Sequence, residues 1–291
     1  MEKIIFIVNP VSGKGNGRRL MQSISKNTLT SAEPVAFFTS GKGDAVNFVK
    51  DGLKGGFRKF VAVGGDGTVN EVASALVHTD GVLGIIPNGS GNGLSRHLKI
   101  PGRVSDALNI ISEGNVREID YGLLGRQPFF CVSGTGFDAR IGHVFADLES
   151  RGFLNYAKAA IVEYFKYKPK KYKLTIDGKK KIKRRAFLIT FANASQYGNN
   201  AYIAPNADVC DGLMDVCIMR PFHFFRSFEL LYSMFGKKLD KSNLLEIIQC
   251  REAELVQKKA RAVHYDGEPA KARRKIHVKM VGGGLKVLVP G

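Results

Sequence analysis

The string Gly64-Gly65-Asp66-Gly67-Thr68 follows directly on the apolar run Phe60-Val61-Ala62-Val63 and opens a helical pattern over 69–76. Glycines in such a turn let the backbone approach an anion without Cβ clashes, and the N–H groups at the start of the helix supply partial positive charge. A carboxylate in the same turn repels bare phosphate, so Asp66 points to a Mg²⁺-nucleotide, with the cation between the two negative groups. The string also suits an ordinary tight strand-to-helix connection, so other segments have to decide.

The elements that would position this turn are apolar runs at 3–8, 34–38, 59–63 and 82–86, alternating with helical periodicity at 18–25, 44–53, 68–77 and 105–112. This is a doubly wound, mostly parallel α/β pattern. The loops after its strands, 9–17, 39–43, 64–68 and 87–93, all carry small or polar residues, and ligands of open α/β sheets bind at that edge. Beyond about Tyr121 the pattern changes: strand-like runs at 128–132, 172–176, 186–192, 214–219 and 276–280 imply an antiparallel β-sandwich. Helical segments at 154–167 and 222–235 interrupt it. The division expected is therefore 1–122 and 123–291, with the last strand, 285–289, free to return to the first domain.

A chain of 291 residues, 44% hydrophobic, can bury a sizeable core. It contains no uninterrupted apolar stretch of membrane-span length, and Met1-Glu2-Lys3 leads into a strand-like run rather than a signal peptide, so a cytoplasmic protein is expected. Cys131, Cys210, Cys217 and Cys250 form no CxxC pair and read as buried free thiols. The net charge of +18 favours anionic partners. Its densest patch comprises Lys166, Lys168, Lys170, Lys171, Lys173, Lys179, Lys180, Lys181, Lys183, Arg184 and Arg185 and brackets a hairpin; it suits either a solvated, aggregation-resistant edge or docking to an anionic membrane surface. The patch lacks interleaved exposed aromatics, so no nucleic-acid partner is expected.

The loop Asn9-Pro10-Val11-Ser12-Gly13-Lys14-Gly15 sits where a Walker loop would but lacks its spacing and its Lys-Ser/Thr ending. Together with Thr39, the Gly-Gly-Asp-Gly-Thr turn and Pro87-Asn88-Gly89-Ser90-Gly91-Asn92-Gly93, it resembles the diacylglycerol kinase catalytic-domain family, which includes bacterial lipid kinases and eukaryotic sphingosine and ceramide kinases. The resemblance continues in order through Gly134-Thr135-Gly136-Phe137-Asp138-Ala139, Gly152-Phe153-Leu154-Asn155-Tyr156, Asn193, Tyr197-Gly198 and Ile203-Ala204-Pro205-Asn206-Ala207. It ends with Asp211-Gly212-Leu213-Met214-Asp215 and Tyr265-Asp266-Gly267-Glu268. It implies a nucleotide-binding α/β domain followed by a β-sandwich lipid-substrate domain, ATP in the interdomain cleft, and γ-phosphate transfer to a hydroxyl of a membrane lipid.

Carried over residue by residue, the resemblance assigns ATP to Asn9, Pro10, Ser12, Gly13, Thr39, Gly65, Asp66, Gly67, Thr68, Asn70, Glu71 and Ser90, with Asp66 also holding the nucleotide's metal. It assigns a structural Mg²⁺ to Asp208, Asp211 and the carbonyl of Leu213, and Asp120 to a water-linked acidic position. Asp266 and Glu268 collectively supply the general base; in an extended segment they would share a face, although Gly267 also allows a turn. Many bacterial members have an Asn-Asp pair in the fourth loop, where this chain has Asn92-Gly93; its Gly-Ser-Gly-Asn wording is nearer to sphingosine kinases. The acceptor is thus diacylglycerol or a sphingoid base, and a homodimer stays open.

The segment 222–235 carries Phe222, Phe224, Phe225, Phe228, Tyr232 and Phe235 and reads first as a helix covering the sandwich core, second as a lipid-facing or membrane-dipping element. Rival functions are an NAD kinase-like enzyme, which shares the Gly-Gly-Asp-Gly-Thr turn, and a catalytically silent lipid- or nucleotide-binding protein. His78, His97 and His264 lack metal-ligand spacing and receive no role.

Overall fold

The structure is a computed structural model that describes residues 2–13, 15–26, 32–146 and 153–291. Lys14 of the first loop and Gly152 of the later motif lie outside the described residues. The chain forms two compact units, one of residues 1–121 with 282–291, the other of residues 122–281.

The first unit alternates β1 (Glu2–Val8), α1 (Gly17–Lys26), β2 (Ala32–Phe38), α2 (Asp44–Lys54), β3 (Lys59–Gly64), α3 (Asp66–Leu76) and β4 (Val82–Pro87). The helices α4 (Gly93–His97) and α5 (Val104–Glu113) and the strand β5 (Asn115–Leu124) follow. β1 pairs in parallel with β2 and with β3, and β3 with β4. Ile4 to Val8 and Phe60 to Val63 are continuously buried, as expected of parallel strands covered on both faces. Parallel pairing puts the loops after β1, β2, β3 and β4 at one edge of the sheet, and this places the nucleotide-type motifs side by side.

The second unit adds β6 (Gln127–Phe129), β7 (Val132–Gly136), α6 (Phe137–Ala146), α7 (Phe153–Lys166), β8 (Lys170–Ile176), β9 (Lys180–Ala186), β10 (Leu188–Ala192) and β11 (Met214–Met219). After α8 (Ser227–Phe235) come β12 (Leu245–Cys250), β13 (Glu252–Gln257), β14 (Arg261–Tyr265), β15 (Glu268–Ala272) and β16 (Lys275–Val289). One antiparallel sheet runs β12-β11-β10-β7-β14-β15; the other contains β16-β13-β8-β9. Alternate residues of the two sheets meet in one core, including Tyr172, Leu174 and Ile176 from β8 and Met214, Val216 and Ile218 from β11. β16 contains residues of both units: Lys275 to Lys279 pair with β13, and Lys286 and Val287 pair in parallel with β4.

Several sequence expectations change. The run 128–132 is not one strand, because the N–H groups of Phe130, Cys131 and Val132 turn onto the Asp266 carboxylate. The run 186–192 is the end of β9 and all of β10, joined at Phe187. Cys131, Cys217 and Cys250 are buried, but Cys210 is exposed. The aromatic segment 222–235 does not simply cover the core: Phe225, Phe228, Leu231, Tyr232 and Phe235 face solvent.

Candidate active site

In the first unit, four loops are tied to one another by side chains. Asn9 donates from Nδ2 to the Thr68 hydroxyl at 3.4 Å and accepts the Val11 N–H on Oδ1 at 3.1 Å. Asn88, after β4, donates to Ser12 Oγ at 2.8 Å and to Asn16 Oδ1 at 3.1 Å. Glu71 of α3 receives the Gly43 N–H on both carboxylate oxygens at 3.1 Å, which anchors the loop after β2. Within that loop Asp44 accepts the Ser40 hydroxyl and the Ser40 and Gly41 N–H groups. These bonds, the hydroxyl foremost, hold its carboxyl below the ordinary 3.8.

Asp66 opens α3 and bonds across to the fourth loop. Its Oδ1 accepts the Gly93 N–H at 2.6 Å and its Oδ2 the Asn92 N–H at 2.9 Å. Asn92 sits in the left-handed region at φ 53° and clasps Gly89, accepting its N–H at 2.9 Å and donating to its carbonyl at 2.7 Å. Gly89 and Gly65 pack backbone to backbone, so a Cβ on Gly89 would lie 2.5 Å from Gly65 Cα. Only glycine allows the third and fourth loops to approach this closely. Thr39 continues the pairing of β2, its N–H donating to the Val8 carbonyl at 2.9 Å, and Ser90 is exposed at the rim of the fourth loop. Asn70 is buried in α3 and accepts the Ser74 hydroxyl at 3.4 Å. Pro10 and Gly13 lie on the first loop, where Gly13 adopts φ 63° under the Asn88 side chain.

In the second unit Asp266 and Glu268 do not form an extended pair. Asp266 and Gly267 both have positive φ, 46° and 84°, and make the tight turn that joins β14 to β15. Asp266 is buried at 8% exposure, its Oδ2 accepting the Phe130 N–H at 2.8 Å and its Oδ1 those of Cys131 and Val132 at 2.8 and 3.0 Å. Glu268 starts β15 half-buried. The turn therefore gives the two carboxylates different surroundings: Asp266 braces backbone, while Glu268 lies on the strand.

Residues 3–124 match the family described as the diacylglycerol kinase catalytic domain, and residues 131–289 match the YegS C-terminal NAD kinase beta sandwich-like domain. The chain belongs to the diacylglycerol kinase catalytic-domain family. Relatives in it include the diacylglycerol kinase of Mycobacterium tuberculosis, 30% identical over 226 residues, covering 74% of this chain and 72% of that protein. The diacylglycerol kinase of Bacillus subtilis is 30% identical over 230 residues, 76% of this chain and 74% of its own. A solved structure of a diacylglycerol kinase from Bacillus anthracis str. Sterne superposes with a TM-score of 0.77 over 99% of this chain and 97% of its own, at 21% identity, and shows the shared fold.

The residues expected to hold a structural cation, Asp208, Asp211 and Leu213, belong to the second unit. Asp208 and Asp211 lie exposed on one loop, each accepting a local N–H on Oδ1, from Cys210 at 3.0 Å and Leu213 at 2.8 Å. Among the described residues no group of three or more His, Cys, Asp or Glu gathers in metal-binding geometry. The donor set of two carboxylates and a carbonyl still fits a hard cation that keeps part of its water. Asp215, on the strand that follows, has its carboxyl raised from the ordinary value, first by burial, which the Gln249 hydrogen bond opposes, and further by the charge of Asp211. Asp120, also buried, accepts the Gly283 N–H at 2.8 Å within the first unit.

Sequence reasoning passed over two features of this family member. Asn88 and Asn92 lie within a quoted motif but were unassigned: Asn88 links the fourth loop to the first, and the Asn92 side chain clasps Gly89 within the fourth loop. His264 is 5% exposed and bonds through Nε2 to Asp138 Oδ2 at 3.1 Å, an oxygen that also receives the Thr190 hydroxyl at 3.2 Å. Asp138 belongs to the Gly134–Ala139 motif, but its partner lies 126 residues away.

Proposed function

We propose that the protein is an ATP-dependent lipid kinase that transfers the γ-phosphoryl group to a hydroxyl of a membrane lipid, diacylglycerol or a sphingoid base. The observation that carries this reading is the laced set of loops after β1 to β4. Four side-chain links (Asn9–Thr68, Asn88–Ser12, Glu71–Gly43 and Asp66–Gly93) hold glycine-rich backbone in a fixed form at the edge where α/β sheets bind nucleotides. Such preorganised N–H groups and hydroxyls suit phosphate oxygens, and phosphoryl transfer depends mainly on positioning and charge stabilisation.

In this reading Asn9, Pro10, Ser12, Gly13, Thr39, Gly65, Gly67, Thr68, Asn70, Glu71 and Ser90 form or support the ATP site. Asp66 fixes the fourth loop through Asn92 and Gly93. Glu268 is the general base for the lipid hydroxyl, and Asp266 holds the hairpin that presents it. Mg²⁺, which neutralises phosphate charge when bound, would be held by Asp66 with the nucleotide and by Asp208, Asp211 and the Leu213 carbonyl structurally. The solvent face of the β8–β9 hairpin opposes Lys173 to Lys183 and Lys171 to Arg185, and like charges in register favour an anionic counter-surface such as the membrane.

The match of residues 131–289 to an NAD kinase-like sandwich favours a second reading, phosphorylation of NAD. Incubating the protein with labelled ATP, Mg²⁺ and diacylglycerol, sphingoid base, ceramide, monoacylglycerol or NAD separates them. Label in an organic-phase lipid product supports the lipid kinase, label in NADP alone supports the alternative, and label in neither leaves a binding protein.

A further inference from the structure

The helix α8 is turned inside out for a water-soluble surface. At 100° per residue, Phe228, Leu231, Tyr232 and Phe235 share one face, and their exposures of 71%, 49%, 70% and 44% show that this face points to solvent. The opposite face carries Leu230 and Ser233, which are buried. Just before the helix, Phe225 is 85% exposed. The patch extends onto α7: Phe165, itself 69% exposed, packs against Phe224 with the rings tilted by 35° and their centroids 4.9 Å apart, and Ile161 and Val162 are exposed one turn away. Tyr164 fastens the two segments, donating its hydroxyl to the Phe222 carbonyl at 2.6 Å.

We infer that this aromatic face is a membrane-docking element that inserts into the interface of an anionic bilayer. Exposed Phe, Leu and Tyr on one helical face with lysines alongside are the composition of helices that lie in the headgroup region. The cations are in place: Lys238 sits over the Tyr232 ring at 5.7 Å and Lys237 over the Tyr202 ring at 4.5 Å, with Lys241 beyond. Arg226 is paired with Glu229, so the acid on the helix is neutralised while the lysines are left to meet phosphate. Charge also selects the occupant. A second copy would bring another +18 chain to a lysine-rimmed face, whereas an anionic lipid surface complements it. The inference deepens the lipid-kinase reading and rests on it for its biological sense, but its test needs neither ATP nor acceptor lipid.

The chain contains no Trp, so Phe228→Trp creates a single reporter at the centre of the face. Vesicles of phosphatidylglycerol and phosphatidylcholine should shift its emission to the blue, and lipids brominated on the acyl chains should quench it. The double variant Phe228→Ser, Leu231→Ser should bind these vesicles at least tenfold more weakly than wild type, and the gap should persist at about 1 M salt, where charges act only within about 3 Å. Because both side chains are exposed, its melting temperature should match wild type. Emission unchanged by vesicles overturns the inference. So does a dimer that forms without lipid and is abolished by the double variant, which assigns the face to a second copy. Intact vesicle binding with no lipid phosphorylated would refute the kinase reading alone.

Discussion

Asp266→Asn separates a bracing carboxylate from a catalytic one. The native carboxylate accepts three backbone N–H groups, from Phe130, Cys131 and Val132, at 2.8 to 3.0 Å in a buried setting. Asparagine tolerates the left-handed φ of 46°, so the turn itself survives. Its Oδ1 can still serve Cys131 and Val132, but its NH₂ then faces the Phe130 N–H, donor against donor. A lost hydrogen bond to a charged group costs about 1.5–3 kcal/mol and a stranded buried N–H about 1–3 kcal/mol, which gives roughly 2.5–6 kcal/mol in all. At about 2–4 °C per kcal/mol for chains of this size, the melting temperature should fall by roughly 10 °C. Calorimetry of the purified variant measures it. A melting temperature within about 2 °C of wild type, with turnover abolished, would refute the bracing role and return Asp266 to the chemistry.

Gly89→Ala should destabilise by about 1–3 kcal/mol and weaken ATP binding, because the new Cβ lies 2.5 Å from Gly65 Cα, whereas Gly41→Ala, with open space around it, should do neither; melting and ATP titration distinguish them. Asp66→Asn should lower ATP turnover and loosen the fourth loop together, seen as faster amide exchange at Asn92 and Gly93; full activity would remove Asp66 from the site. The Asp44 carboxyl is held below 3.8 in the folded chain, so its contribution is fully present above that value and is lost as pH falls through the lower folded one. The melting-temperature gap between wild type and Asp44→Asn should therefore close on acidification, and a gap that widens would contradict the assignment. Neutralising Lys171, Lys173, Lys181 and Lys183 should mimic high salt in vesicle sedimentation, while unchanged sedimentation would leave the β8–β9 face as a solvated edge.

The parallel sheet was legible because its strands are buried runs and its helices keep a 3.6-residue period; both signals are local. The sandwich was legible as alternating runs, but its register was not, since pairs such as Val263 with Thr135 join residues far apart in sequence. The site residues stood out by type, yet their tasks did not. Asp66 reads as a metal partner, and the structure adds that its oxygens accept the N–H groups of Asn92 and Gly93; Asp266 reads as one of a pair that shares the base, and the structure adds that its carboxylate accepts three N–H groups. The aromatic helix keeps two readings in the sequence for a related reason: periodicity gives the apolar face but not whether the core or the solvent lies against it. The sequence could not supply the Asp138–His264 contact, which only the sandwich topology creates.

The most direct test of the central claim is phosphoryl transfer from labelled ATP to detergent-dispersed lipid by wild type and by Glu268→Gln, side by side. The substitution keeps the shape of a half-buried side chain at the start of β15 and removes its capacity to accept a proton. The expected result is a labelled lipid product from wild type and a kcat lower by roughly a hundredfold or more in the variant, with ATP affinity and melting temperature unchanged. Equal turnover in both proteins would place the base elsewhere, and label found only in NADP would contradict the lipid-kinase account itself.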